Sequence, residues 1–163
     1  MKSFTFWKLR GAVRTVPLLA ASLLSFGQNN VLSVTPPEKV IAKAGTTIEV
    51  KLSVHVRPGY HINSNQPSDE YLIPLKLSWD PGSLSGAPTS FYPKPSMEKY
   101  SFSEKPLSVY TGDFEITTRF GIKDSASSGP ATIPGKLRYQ ACTDRLCLPP
   151  KTVEIQLPIE IVK

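Results

Sequence analysis

The chain has 163 residues, with 19 Lys+Arg against 13 Asp+Glu, two histidines and two cysteines. Four of the basic residues and no acidic one fall in residues 1–27, so residues 28–163 hold 15 basic and 13 acidic side chains, a net of +2. That near balance, with no basic stripe or aromatic-interleaved arginine cluster, removes the compositional support for nucleic-acid binding.

At the N-terminus Lys2, Lys8, Arg10 and Arg14 precede an apolar run, Val16 to Phe26, interrupted only by Pro17, Ser22 and Ser25. Ser25 and Gly27 supply small residues before Gln28. This pattern predicts a secretory signal peptide over residues 1–27, too short for a comfortable membrane span, with an uncleaved N-terminal anchor as the alternative. No lipobox-type cysteine follows it. Residues 28–163 suffice for a single domain with its own core. They contain no apolar run of 18 residues, so no membrane span is expected in the mature chain.

The mature sequence reads as all-β. Val31–Val34 and Lys39–Ile41 are short candidates. Thr46 to Val56 then alternates, with Ile48, Val50, Leu52, Val54 and Val56 on one face and Thr47, Glu49, Lys51, Ser53 and His55 on the other, as a half-buried strand requires. Further strands are predicted around Leu75–Trp79, Thr89–Tyr92, Leu107–Tyr110 and Phe114–Ile122. Lys136–Ala141, Lys151–Leu157 and Ile159–Val162 complete the set. Turn signals such as Pro58-Gly59, Asp80-Pro81-Gly82 and Thr111-Gly112-Asp113 separate these runs, and 16 prolines argue against long helices. The expected architecture is an immunoglobulin-like antiparallel β-sandwich. Two segments read as functional loops instead: the polar stretch Pro58–Pro67 and the stretch Tyr92–Pro106, which holds Tyr100, Phe102 and three lysines.

Cys142 and Cys147 fall between the two strands of a predicted hairpin, with Thr143-Asp144-Arg145-Leu146 in its loop. Directly opposed hairpin residues bring Cβ atoms close enough for a disulfide with small adjustment. A loop this short contributes only about 2 kcal/mol in the chain-entropy model, so the pair is a poor scaffold and a cheap switch. Pro149-Pro150 remove two backbone donors at the exit and make pairing there irregular. Arg145 favours a thiolate and Asp144 opposes one. A structural hairpin staple remains open on spacing alone. A metal site is disfavoured, because two thiolates are half a tetrahedral shell and His55, His61 and Met97 have no motif spacing to them. No cofactor is expected. His55 reads as solvated and Trp79 as core.

Tyr139-Gln140-Ala141-Cys142 followed by Cys147-Leu148-Pro149-Pro150 closely resembles the active-site hairpin of the N-terminal periplasmic domain of the thiol:disulfide interchange protein DsbD family. Pro58-Gly59-Tyr60-His61-Ile62-Asn63-Ser64-Asn65 is similar to that family's Gly-aromatic loop, and Leu107-Ser108-Val109-Tyr110-Thr111-Gly112 to the strand after its active-site cap. The resemblance spans about Val31 to the C-terminus. It implies a periplasmic sandwich whose cysteine pair cycles between dithiol and disulfide, an electron-relay component of protein-disulfide reduction. The implied partners are thioredoxin-fold proteins: an upstream reductant, and downstream a disulfide isomerase or a cytochrome c maturation thioredoxin. By position, Cys147 matches the cysteine that forms mixed disulfides and Cys142 the one that resolves them. Phe102 or Tyr100 matches the aromatic cap, and Tyr60, His61 and Tyr110 become neighbours of the site. Two departures stand out. The loop between the cysteines is shorter than in the best-known members. No membrane conduit and no Cys-x-x-Cys module accompany it in these 163 residues, so the expected reductant is another polypeptide. The alternative is a non-catalytic exported binding or accessory module with a structural disulfide.

Overall fold

The structure is a computed structural model that describes residues 30–163; the expected signal peptide, residues 1–27, lies outside them. Among the described residues every regular element is a strand. In chain order they are β1 (Leu32–Val34), β2 (Val40–Lys43), β3 (Thr47–Val56), β4 (His61–Asn63), β5 (Lys76–Trp79) and β6 (Thr89–Phe91). There follow β7 (Ser96–Glu98), β8 (Leu107–Tyr110), β9 (Asp113–Gly121), β10 (Gly129–Tyr139), β11 (Ala141–Cys142) and β12 (Lys151–Val162).

These strands form three four-stranded sheets, ordered β1-β3-β9-β6, β2-β12-β10-β5 and β11-β4-β8-β7, the third made of strands of two to four residues. The fold is an immunoglobulin-like β-sandwich. The alternation in β3 becomes its core: Val50, Leu52, Val54 and Val56 are buried while Lys51, Ser53 and His55 face solvent. They meet Ile116 and Phe120 of β9 from the same sheet, and Ile133, Leu137, Ile155 and Leu157 of β10 and β12 from the opposite one. Each such side chain contributes about 1.5–3 kcal/mol on burial. Trp79 bridges the two halves of this core and stacks edge-on to Phe120 at 5.5 Å. Its ring lies across β10 where Gly135 leaves room; a Cβ there would meet the ring at 2.5 Å.

The β10–β12 pair is longer than its sequence pattern indicates, running from Gly129↔Ile161 to Tyr139↔Lys151. Proline at 134 is tolerated for a geometric reason. Its carbonyl accepts from the Asp80 N–H, one residue past the end of β5. A strand residue points its nitrogen the same way as its carbonyl, so the missing donor falls where the ladder has already ended. The sandwich also departs from the purely antiparallel expectation at one place: β2 runs parallel to β12, Ile159↔Val40 to Val162↔Lys43.

The third sheet forms where β10 ends. At Gln140 the chain leaves its sheet, and β11 pairs instead with β4, Ala141↔Ile62 and Cys142↔His61. The Pro58–Pro67 stretch, expected to be a loop, therefore contains a strand. The reason is burial on both faces: His61, Ile62 and Asn63 are all buried, so no apolar alternation marks them. Ser96–Glu98, within the second expected loop, pairs with β8 as an edge strand.

Candidate functional site

Cys142 and Cys147 face each other in an antiparallel bridge and are joined by a disulfide, with Cα atoms 3.9 Å apart. The flanking hydrogen bonds fix this pairing. Leu148 N–H donates to the Ala141 carbonyl at 2.8 Å, and Thr143 N–H to the Leu146 carbonyl at 2.8 Å. The cysteines are thus the pair between two hydrogen-bonded pairs, the position where opposed side chains stand closest. Thr143 closes the turn: its hydroxyl oxygen accepts from the N–H groups of Arg145 and Leu146, both at 3.2 Å. The two cysteines differ in exposure. Cys142 is fully buried, whereas Cys147 is only partly buried, beside exposed Leu146 and Pro149.

Alternation places Cys142, His61 and Asn63 on one face of the small sheet, and Ala141, Ile62 and Tyr110 on the other. The second set joins the sandwich core. On the first face three aromatic rings lie nearly parallel. Tyr100 stacks on His61 at 3.9 Å between centroids, and Phe102 lies 5.6 Å from Tyr100 and 6.5 Å from His61. The segment carrying Tyr100 and Phe102 is folded on itself, since the Lys99 ammonium donates to the carbonyls of Ser103 and Glu104. It is also fastened to the cysteine hairpin, where Ser101 Oγ donates to the Asp144 carbonyl at 3.0 Å.

Burial governs the electrostatics here. Desolvation holds the His61 imidazole below its ordinary range, opposed by the nearby Glu98 carboxylate. The Tyr100 hydroxyl, which donates to Glu98 Oε2 at 2.8 Å, is pushed well above the usual phenol range, by burial first and then by Glu98. Burial, with a smaller contribution from Tyr92, pushes the Tyr110 hydroxyl up to about 12.

The candidates from sequence divide into two groups. Tyr60, His61 and Tyr100 border one groove of about 720 Å³ that reaches Asp144 of the cysteine turn. Arg57 lies over the Tyr60 ring at 4.8 Å. Phe102 completes the ring stack and is 42% exposed. Tyr110 is set apart. It stacks on Phe114 at 4.7 Å, and its hydroxyl lies 2.8 Å from both Asn65 Oδ1 and the Pro93 carbonyl, beyond the sheet from the cysteines.

Sequence reasoning overlooked the polar pins beneath the hairpin. Gln140 Oε1 accepts from Asn63 Nδ2 at 3.2 Å and from the Ile73 N–H at 3.3 Å, while its Nε2 donates to the Leu148 carbonyl at 3.3 Å. Asn63 Nδ2 also donates to the Ile73 carbonyl at 3.1 Å. One side chain thereby ties β11, β4 and the hairpin exit together. Gln140 stands within the Tyr-Gln-Ala-Cys run, so the signal was present as an amide at a sheet switch. The Ser101–Asp144 contact has no sequence signal at all.

A family model described as "Thiol:disulfide interchange protein DsbD, N-terminal" matches residues 28–159. The chain belongs to this family. Among solved structures, the N-terminal periplasmic domain of ScsB from Proteus mirabilis superposes with a TM-score of 0.58 at 16% identity, over 82% of this chain and 49% of that one. The chain thus spans about half the length of that relative, and the likeness is one of fold. The N-terminal domain of Neisseria meningitidis DsbD in its reduced form is similar at a TM-score of 0.42 and 23% identity, over 74% of this chain and 82% of that one. No curated protein sequence matches the chain. Membership of the DsbD N-terminal family and a closed cysteine pair support thiol–disulfide exchange as the chemistry of this site. No helix among the described residues is long and apolar enough to cross a membrane.

Proposed function

We propose that the protein acts in the periplasm, as one exported domain freed of residues 1–27, and relays electron pairs through Cys142 and Cys147. The observation that carries the reading is the unequal exposure of the two cysteines, Cys147 partly exposed and Cys142 fully buried. Attack by an outside thiolate is then directed to Cys147.

In the uptake step a donor thiolate attacks Cys147 Sγ, the bond to Cys142 breaks, and Cys142 leaves as a thiolate that takes up a proton. The donor's second thiol attacks its own sulfur in the mixed disulfide and releases reduced Cys147. In the delivery step the Cys147 thiolate attacks an acceptor disulfide. Cys142 then attacks Cys147, which restores the disulfide and releases the acceptor reduced. A thioredoxin-fold dithiol suits the donor role, and a disulfide isomerase or cytochrome c maturation thioredoxin the acceptor role. Tyr100 and Phe102 act as the cap that a partner parts on docking, with Tyr60 and His61 lining the approach.

Replacing Cys142 with Ser removes the resolving thiol, so mixed disulfides with a thioredoxin-fold partner should accumulate through Cys147. Their absence with every such partner, together with a reduction potential far below about −300 mV, would return the pair to the role of a structural staple in an accessory module.

A further inference from the structure

Two polar atoms on β4 are buried without a hydrogen-bond partner, His61 Nε2 and Asn63 Oδ1. Asn63 already has its amide nitrogen engaged with Ile73 and Gln140, and an amide oxygen is far too weak a base to take up a proton at neutral pH. His61 is different. It is 2% exposed, stands directly across the β11–β4 ladder from Cys142, and is covered by the Tyr100 ring at 3.9 Å. Directly opposed strand residues hold their Cβ atoms about 4.5–5.5 Å apart on the same face. A neutral imidazole offers one donor and one acceptor nitrogen, and leaving one idle in the interior is costly.

The idle nitrogen has a counterpart in the other redox state. In the disulfide Cys142 carries no proton. Reduction places an S–H on that sulfur, on the same face and opposite the ring. We infer that His61 accepts the proton of Cys142 when this thiol resolves a mixed disulfide, and returns one in the reverse direction. The inference rests on the exchange role proposed above and assigns a further residue to it.

The step balances without another reactant. His61 takes the thiol proton, and the Cys142 sulfur attacks Cys147 Sγ with the freed electron pair. The Cys142–Cys147 bond forms as the bond from Cys147 to the partner's sulfur breaks. The partner leaves as a thiolate, and the imidazolium gives its proton to solvent. The surroundings suit a base of this kind. Burial keeps the ring neutral and ready to accept. Glu98, beside Tyr100, favours the imidazolium once formed. Asp144 in the cysteine turn, and Arg57, Tyr60, Asp113 and His55 across the groove, are the other charged or titratable groups that face this site.

Glutathione disulfide is a sufficient probe. The reduced wild-type protein and its His61→Phe and His61→Gln variants would be mixed with it from about pH 5 to pH 9, quenched in acid, and the Cys147–glutathione adduct counted by mass spectrometry. Phenylalanine keeps a ring under Tyr100, and glutamine keeps polarity, so neither variant depends on the other's folding. In the variants the adduct should persist on the order of 100-fold longer at neutral pH. Its decay should lose the imidazole-range inflection and keep only that of a thiol near about 8.5. Lifetimes and pH profiles equal to wild type would overturn the role of His61 and leave exchange intact. A lengthening that is uniform across pH would also overturn it, because that marks packing alone. A wild-type protein that glutathione disulfide neither labels nor oxidises would overturn the exchange reading, and this inference with it.

Discussion

Ser101 donates its hydroxyl to the Asp144 carbonyl at 3.0 Å, so the segment carrying Tyr100 and Phe102 is fastened to the very turn that carries the disulfide. Both residues are exposed, and a neutral bond of this kind is worth about 1 kcal/mol. Ser101→Ala should therefore raise the rate of disulfide reduction by dithiothreitol about fivefold, since 1.4 kcal/mol is a factor of ten. Global stability should hardly change. A reduction rate equal to wild type would show that this fastening does not limit access.

The ring of Tyr100 and its hydroxyl can be separated. Tyr100→Phe keeps the stack on His61 and loses only the bond to Glu98. Tyr100→Ala loses both, including a ring pair worth about 0.5–1.5 kcal/mol beyond its buried area. Alkylation of the reduced protein by iodoacetamide should accelerate clearly in the alanine variant and little in the phenylalanine one. Equal acceleration in the two would assign the covering effect to the hydroxyl.

Gln140→Ala takes one of two partners from the Asn63 amide nitrogen, which keeps the Ile73 carbonyl, and leaves the partly buried Ile73 N–H and Leu148 carbonyl without theirs. Unpaired buried groups cost about 1–3 kcal/mol each, and partial relaxation at the hairpin exit reduces the sum. Urea unfolding should register a loss of about 2–3 kcal/mol, well above that of an ordinary surface substitution. A loss below about 0.5 kcal/mol would mean that these bonds do not hold the sheet switch.

Acid should weaken the fold through His61. Burial, the larger cause, places its folded-state value below 6.5, and Glu98 offsets this in part. In the unfolded chain the ring protonates near 6.5. Below that pH the unfolded state holds more protons, so stability is fully present above it and declines as pH falls toward the folded-state value. Urea midpoints should drop between about pH 7.5 and pH 5 in wild type and drop less in His61→Phe. Parallel declines in the two proteins would exclude His61 as the source.

The sandwich was legible because its strands are buried on one face only. Thr47–Val56 and Asp113–Gly121 alternate without a break, and their pairing follows from that pattern. The cysteine hairpin was legible too, from two strands converging on a four-residue loop. His61–Asn63 escaped because all three of its side chains are covered, by core on one side and by the cap on the other. Period-2 reading needs a solvent face to work. Prolines at 130, 134 and 158 hid the full length of β10 and β12, since a proline's tolerance depends on where the neighbouring strand stops. The hold of Gln140 on Asn63 and Ile73 and the Ser101–Asp144 contact join residues 43 to 77 positions apart, which no local pattern encodes.

The disulfide lies just beyond the end of the long β10–β12 ladder, whereas the segment carrying Tyr100 and Phe102 follows the three-residue edge strand β7. Long central ladders open rarely, and short edge elements open often. In the exchange role proposed above, a docking protein would meet one unyielding wall and one compliant wall. The Cys147 sulfur would then keep its position relative to the core, and differences between partners would be absorbed on the side of Tyr100 and Phe102. A single terminal of fixed position can in this way serve contacts of several shapes.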